Sequence, residues 1–413
     1  MRHHRIDYLA GFGALLFLIL IISWHANREE ASPNLEPMSR SPLSPMPNPL
    51  NEIFRQGGTL AFDDQNPDQI AIKVAMADVV VTDEVLPMLV ESTNIKKLDL
   101  VAQKITDRGL KCLGGLTHLN TLRLDQTHVT DQGLVHLRSL ATLQTLSLAY
   151  TSIDGSRLGE LKELHRLSEL DLSYTQLSDS AVANVNRLSN LEKLKLHGCK
   201  HVSGKSIGQL KDLIRLSQLD LSNTKVTDAD LAQLKLLPQL RVLDLSSTQV
   251  SDSGLLYLQS LPRLENLNLA STRVTDQGLS TLKKLPHLKT LTLNGTHITD
   301  AGLGLIRDWY GLRELFLDAT GVTDEGMAYL PGITSLETLG LNGTKVSALG
   351  LMYLRDMEHL RAVEVIHTSI TLEQMDQLRP EFPPLEIVDT PYAPSEAHIR
   401  EMEGDGSHLN IFL

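Results

Sequence analysis

The 413-residue chain is poor in several things that most functional classes require. Its two cysteines, Cys112 and Cys199, are too few for a disulfide framework or a four-ligand zinc site. Only seven Phe, eight Tyr and two Trp are present, so the chain lacks the large aromatic shapes that usually help fill an irregular core. Positive charge is also short: 38 Lys and Arg face 50 Asp and Glu, a net charge of −12. That balance excludes nucleic acid as a partner, because affinity for a phosphate backbone rests on a basic surface that releases counterions. No H-E-x-x-H, Walker loop, C-x-x-C or complete G-x-G-x-x-G occurs, and no catalytic residue, metal site or cofactor is assigned. The abundance lies in leucine, 79 residues, and so uniform an apolar composition points to one small packing solution used many times.

The N-terminal region stands apart from the rest. Tyr8 to Ile22 reads YLAGFGALLFLILII and continues uncharged to Trp24, a run of 17 residues. At ~1.5 Å per residue it spans ~26 Å of a ~30 Å hydrocarbon core, with Tyr8 and Trp24 at the two interfaces. Two readings compete. Arg2 and Arg5 before the run suit the basic end of a cleaved signal peptide, but no small-residue cleavage pattern follows in Trp24, His25, Ala26, Asn27 and Arg28. An uncleaved transmembrane signal-anchor over 1–27 is therefore expected, with secretion after cleavage as the alternative. Basic residues before the run, and Glu29 and Glu30 after it, place the N-terminus in the cytoplasm and the remainder outside it. Six prolines between Pro33 and Pro49 make 28–50 a Pro-rich linker, either an extended spacer or an unselected connection. Residues 392–413 read as an acidic, flexible tail. From 381 onward the chain holds seven carboxylates and one Arg.

Between these segments the chain repeats itself. Leu-x-Leu pairs begin at Leu98, Leu122, Leu146, Leu170, Leu194, Leu219, Leu243, Leu267, Leu291, Leu315 and Leu339, with Val363 closing a series in which one step is 25 residues and the rest are 24. Val74 and Ile387 extend the count at either end. In the unit starting at Leu267, Leu267 and Leu269 alternate with polar residues, as a short strand does. Leu279, Leu282 and Leu285 then recur every three residues, as one face of a helix. Thr275-Asp276 supplies side-chain oxygen where that helix begins, and Gly278, in the first turn here and in six other units, marks a close approach of neighbouring chain. One unit cannot bury both faces, whereas stacked units can, and helices wider than the strand spacing curve the stack.

With L-x-x-L-x-L-x-x-T at its head and V-T-D-x-G-L-x-x-L in its tail, the unit resembles that of leucine-rich repeat proteins. It is similar to 24-residue bacterial repeats and, more distantly, to ribonuclease-inhibitor-like and F-box-associated solenoids, while LKLHGCKHVSG from Leu194 to Gly204 resembles the cysteine-containing subclass. The resemblance implies an α/β solenoid over 51–391, a right-handed horseshoe with parallel strands on the concave face and helices on the convex face. It also implies protein recognition. No F-box precedes the repeats, which disfavours a ubiquitin-ligase adaptor.

Several repeated polar residues read as structural. Thr127, Thr151, Thr175, Thr224, Thr248, Thr272, Thr296, Thr320, Thr344 and Thr368 share a column with Cys199 and are expected to donate to turn carbonyls. Asp107, Asp131, Asp179, Asp228, Asp252, Asp276, Asp300 and Asp324 read as helix caps rather than a calcium ladder. His197 and His201 fall where a four-residue spacing does not join two imidazoles. Asn294 and Asn342 match the N-glycosylation pattern, but their Thr residues belong to the structural column. The caps are expected as a helix over 51–56, a hairpin of 59–62 with 69–76, and a last strand at 385–388.

Outward strand positions remain for function. The central column is Asp99, Arg123, Ser147, Asp171, Lys195, Asp220, Asp244, Asn268, Thr292, Phe316, Gly340 and Glu364. Beside it lie Tyr150 and Tyr174 in adjacent units, with Glu169, Lys193 and His197. Tyrosine offers apolar area and a hydroxyl at small entropic cost, so Tyr150 and Tyr174 amid Arg123, Glu169, Asp171, Lys193, Lys195, His197, Asp220 and Asp244 form the expected protein-binding surface. Phe316 is a second exposed aromatic. Trp309 replaces a core leucine and should be buried. The bland reading is a solvated polar face. The expected function is a membrane-anchored, non-enzymatic protein-binding module. The alternatives are a structural or adhesive envelope component that binds polysaccharide or itself, and an enzyme if perturbed carboxylates gather around Asp171, Asp220 and Asp244.

Overall fold

Alternating leucines build the sheet. The computed structural model describes residues 58–63, 66–74, 81–90, 95–382 and 386–388; the expected anchor, linker, first capping helix and acidic tail lie outside them. Strands β1 (Gly58–Asp63), β2 (Asn66–Val74), β3 (Ile95–Asp99), β4 (Thr121–Arg123), β5 (Thr145–Ser147), β6 (Glu169–Asp171) and β7 (Lys193–Lys195) are followed by β8 (Gln218–Asp220), β9 (Val242–Asp244), β10 (Asn266–Asn268) and β11 (Thr290–Thr292). The series ends with β12 (Glu314–Phe316), β13 (Thr338–Gly340), β14 (Ala362–Glu364) and β15 (Glu386–Val388). All lie in one open sheet in chain order. β1 and β2 form the antiparallel hairpin, and from β2 onward each strand pairs in parallel with the next. The result is the leucine-rich repeat horseshoe.

The core is a stack of identical layers. In the unit of β10, Leu267, Leu269, Leu279, Leu282, Leu285 and Leu288 are all buried, and Trp309 takes a buried leucine place one unit later. The register is the expected one from β3 on. At the start it differs, because Ile72 rather than Val74 pairs with Leu98 and a bulge follows Ile70. The helices are also shorter than the leucine period suggested: Asp276–Leu282 ends before Leu285, and Asp131–Ser139, Leu158–Glu163 and Asp228–Leu236 are 3-10 turns. A three-residue leucine period is the natural period of a 3-10 helix, so the same pattern serves either form.

Two polar ladders hold the units together. The threonine column behaves as expected, Thr272 Oγ1 donating to the carbonyl of Leu269 at 2.6 Å, while Cys199 Sγ reaches back to the Leu172 carbonyl of the preceding unit. The aspartate column does something the sequence did not reveal. Thr or Ser is the N-cap, and Asp is the first helical residue, its carboxylate reaching forward to the next unit. Asp276 accepts from Thr299 N–H at 2.8 Å and from Thr299 Oγ1 at 2.6 Å, and the same pair of bonds joins Asp107 to Thr130 and Asp252 to Thr275. Glycine makes the reach possible. A Cβ on Gly302 would stand 2.3 Å from Asp276 Oδ1.

Candidate functional site

Each strand from β3 to β14 leads into a turn whose second residue has a left-handed backbone. The column runs Ala102, Gln126, Tyr150, Tyr174, Gly198, Asn223, Ser247, Ser271, Gly295, Ala319, Gly343 and His367, each at φ between +52° and +68°. Bulky side chains are uncommon there, because Cβ crowds the following carbonyl at a cost of roughly 1–2 kcal/mol. Tyr150 and Tyr174 occupy it in adjacent units, at φ +56° and +55°. Their N–H groups still donate along the stack, to the carbonyls of Ser173 and His197. The pair therefore lies on the rim beyond the strand ends, not on the strand face where the period-two reading had set it.

Stacking binds the two rings into one unit. Their centroids are 4.2 Å apart at 16°, and His197 meets Tyr174 edge-on at 4.7 Å. Gly198 lets the stack lie flat, since a Cβ there would come within 2.6 Å of the Tyr174 ring. Tyr150 is 52% exposed and forms the outer face, while Tyr174 is half-buried. Burial, followed by the Tyr174 hydroxyl, pushes the Tyr150 phenol up to about 12.

Beneath the rings runs a hydrogen-bonded chain. His197 Nε2 lies 2.8 Å from the Tyr174 hydroxyl, His197 Nδ1 bonds Ser222 Oγ, and Ser222 donates from both N and Oγ to Asp220 Oδ1. Asp220 Oδ2 is buried without a hydrogen-bond partner. Beside it Asp244 accepts from Ser246 N–H and from Asn268 Nδ2. Asp220 and Asp244 are only 3% and 4% exposed, so neither is the surface residue that its outward strand position suggests. Strands spaced at ~4.8 Å let longer neighbours shade short side chains. Burial, then the charge of Asp244, pushes Asp220 up to about 7, and burial raises Asp244 as well. Burial likewise pushes His197 down.

The perturbed carboxylates that a catalytic reading required are thus present at Asp220 and Asp244. Their order is not that of nucleophile activation, in which histidine stands between hydroxyl and carboxylate. Here buried Ser222 stands between His197 and Asp220 and gives its proton to the acid. Among the described residues no group of three or more His, Cys, Asp or Glu is placed to hold a metal ion.

The other expected site residues scatter along the solenoid. Lys195 lies 3.8 Å from Asp171 and 4.0 Å from Glu169 in the same patch, and Lys193 is half-buried on the same strand. Arg123 pairs with Asp99 and Asp125, two units before Tyr174. Phe316 is half-buried on β12, four strands beyond Asp220, over Gly340. Near it burial pushes Asp318 up to about 6. Asn294 and Asn342 commit their amides to Asp318 and Glu364, and their Thr partners are buried, which agrees with the structural reading of both motifs. A further row lies outside the strand columns: Tyr257, Leu305, Tyr329 and Tyr353 are exposed at one helix position on the convex side, and their spacing in multiples of 24 residues is its mark in the sequence.

Comparison with known proteins agrees with this architecture. A leucine-rich repeat family model matches residues 238–258 and 284–306. Among solved structures, an internalin from Listeria monocytogenes is similar with a TM-score of 0.54 and 20% identity, over 79% of this chain and 87% of that one. The mouse RP105/MD-1 complex is similar with a TM-score of 0.53 and 18% identity, over 78% of this chain and 59% of that one. At such identities the likeness is one of fold. No curated protein matches the chain.

Proposed function

From the premise that the chain is a leucine-rich repeat protein, we propose that it is a non-enzymatic, membrane-anchored module that binds another protein through the rim around Tyr150, Tyr174 and His197. The supporting observation is the tyrosine pair itself. Two adjacent units place a bulky ring where the backbone disfavours one, and the fold does not need them, since Ala102 and Ala319 fill the same position elsewhere. A stacked aromatic pair larger than the turn requires, with Tyr150 left 52% exposed, marks a surface that serves something besides stability. The stack is rigid, half apolar and tipped with hydroxyls, which is what interface anchors require. Mouse RP105, of similar fold, is known in complex with MD-1, which supports a binding role for such a solenoid. The apolar run at Tyr8–Trp24 supports an anchor, with the repeats outside the cytoplasm.

The test is photocrosslinking in intact cells from a reactive side chain at the exposed neighbour Gln126, comparing the native chain with Tyr150→Ala/Tyr174→Ala. Alanine is tolerated at this backbone position, as Ala102 and Ala319 show, so the variant folds. A discrete protein adduct that disappears in the variant is expected. An adduct unchanged by the double substitution, or none at all, removes the assignment.

A further inference from the structure

We infer that the tyrosine rim takes an arginine side chain of the partner, because the hydrogen-bonded chain behind it turns the hydroxyl protons of the pair inward and leaves the exposed Tyr150 oxygen as an acceptor. The inference rests on the binding reading above and adds the chemistry of what is bound.

The direction of the chain follows from the donor count at each atom. Ser222 has one hydroxyl proton, and it goes to Asp220 Oδ1. Ser222 Oγ must then accept from His197, which places the imidazole proton on Nδ1. In a neutral ring Nε2 is therefore bare and accepts the proton of the Tyr174 hydroxyl at 2.8 Å. Tyr174 spends its only proton inward. Its oxygen in turn accepts from the Tyr150 hydroxyl, so the pair shows a partner the lone pairs of Tyr150, beside its open face and near Asp171, the charged group that acts on the Tyr150 phenol. A flat aromatic face beside acceptors matches a guanidinium, which stacks on the ring while its N–H groups reach the oxygens. An ammonium cannot stack in that way. At the rings a carboxylate meets lone pairs, Lys195 beside them is held by Asp171 and Glu169, and the chain as a whole carries −12.

Protonation at the buried end reverses the arrangement. A proton on Asp220 Oδ1 is donated to Ser222, Ser222 then donates to Nδ1, Nε2–H donates to Tyr174, Tyr174 donates to Tyr150, and the Tyr150 proton turns outward. Protonated His197 has the same effect at Tyr174. The charged groups acting on His197 are Asp244 and Asp171, which favour its cation, and Lys200, which opposes it. Both events occur as pH falls, so arginine binding strengthens as pH rises from 6 to 8.

The experiment is selection of a random-peptide library on the full-length chain, followed by titration of the selected peptides. Support consists of arginine-bearing peptides that are lost with Tyr150→Ala/Tyr174→Ala and weakened about tenfold when arginine is replaced by citrulline. Two further variants test the chain behind the rim. Asp220→Asn keeps an acceptor that never titrates and should lose less affinity between pH 8 and pH 6 than the native chain does, whereas His197→Phe should lose the preference for arginine over citrulline. Peptides that need the tyrosine pair but carry no arginine leave the binding reading standing and overturn this inference. Arginine peptides indifferent to the pair overturn it too, as general attraction to an acidic chain. Peptides that never depend on the pair overturn both.

Discussion

Gly278 is in place for the aspartate of the repeat before it. A Cβ at 278 would stand 2.5 Å from Asp252 Oδ1 and 2.7 Å from Leu255 Cδ1, so Gly278→Ala should destabilise the chain by about 1–3 kcal/mol through overpacking. Asp252→Ala removes both bonds to Thr275 and should cost about 1.5–3 kcal/mol. If the glycine exists for the carboxylate, the double variant loses less than the two single losses combined, and urea unfolding of the four proteins measures this coupling. Simple additivity would separate the two columns. Asp220 gives a second prediction at this scale. Its folded pKa, about 7, lies above the ordinary carboxylate value, so the folded state holds the proton more tightly. Stability from this group is therefore greatest below pH 4, declines as pH rises to about 7 and is level above, by up to roughly 4 kcal/mol at ~1.36 kcal/mol per pH unit. Asp220→Asn removes the ionisation. Its stability advantage over the native chain should be absent at pH 4 and large at pH 8, and an advantage independent of pH would show that burial of charge is not the cause.

At the scale of elements, the aspartate ladder is continuous over most of the solenoid and interrupted around the tyrosine rim. Asp131 still reaches forward, to the N–H groups of Asp154, Gly155 and Arg157. Asp154 instead caps its own turn at Ser156, and Ser178 makes no side-chain cap bond. Asp179 bonds Ser203, but at the next junction Thr227 is served by Asp230 of its own unit. The unit of the 25-residue step holds Gly204 where other units hold Asp, so it offers Thr227 no carboxylate from the unit before. The units after β6 and β7 are thus tied to their neighbours by core packing and strand pairing with one intact link between them. Amides of helices Asp179–Val185 and Lys205–Gln209 should exchange with solvent at a lower opening free energy than those of Asp252–Leu258 and Asp276–Leu282. Equal protection along the stack, read by native-state hydrogen exchange, would make the ladder irrelevant to local stability. Asp at the head of each helix was visible in the sequence. That its partner lay one unit ahead was not, because local capping accounts for the same residue at the same place.

At the scale of the whole molecule, the fold was legible because every inward position repeats. Leu267 and Leu291 obey the same period, and a period is a property of sequence alone. The rim was legible in part: Tyr150 and Tyr174 stood out by scarcity, but their left-handed backbone and the chain through Ser222 depend on what adjacent turns bring together. Asp220 and Asp244 read as exposed because strand alternation tells which way a side chain leaves the sheet and nothing about shading by its neighbours. The convex row from Tyr257 to Tyr353 keeps the repeat period, but one polar or apolar residue per helix column carries no sign of which face is used. The proposed anchor gives the last prediction, since it fixes the side of the membrane on which the solenoid meets its partner. With Arg2 and Arg5 held in the cytoplasm, protease added to intact cells should degrade the repeats and leave a short membrane-bound remnant containing Tyr8–Trp24. An epitope at residue 2 should remain inaccessible until the cells are opened. Repeats protected in intact cells and cut only after lysis would reverse the orientation, and the partner would then have to be sought in the cytoplasm. A full-length solenoid released intact into the medium would replace the anchor with a cleaved leader.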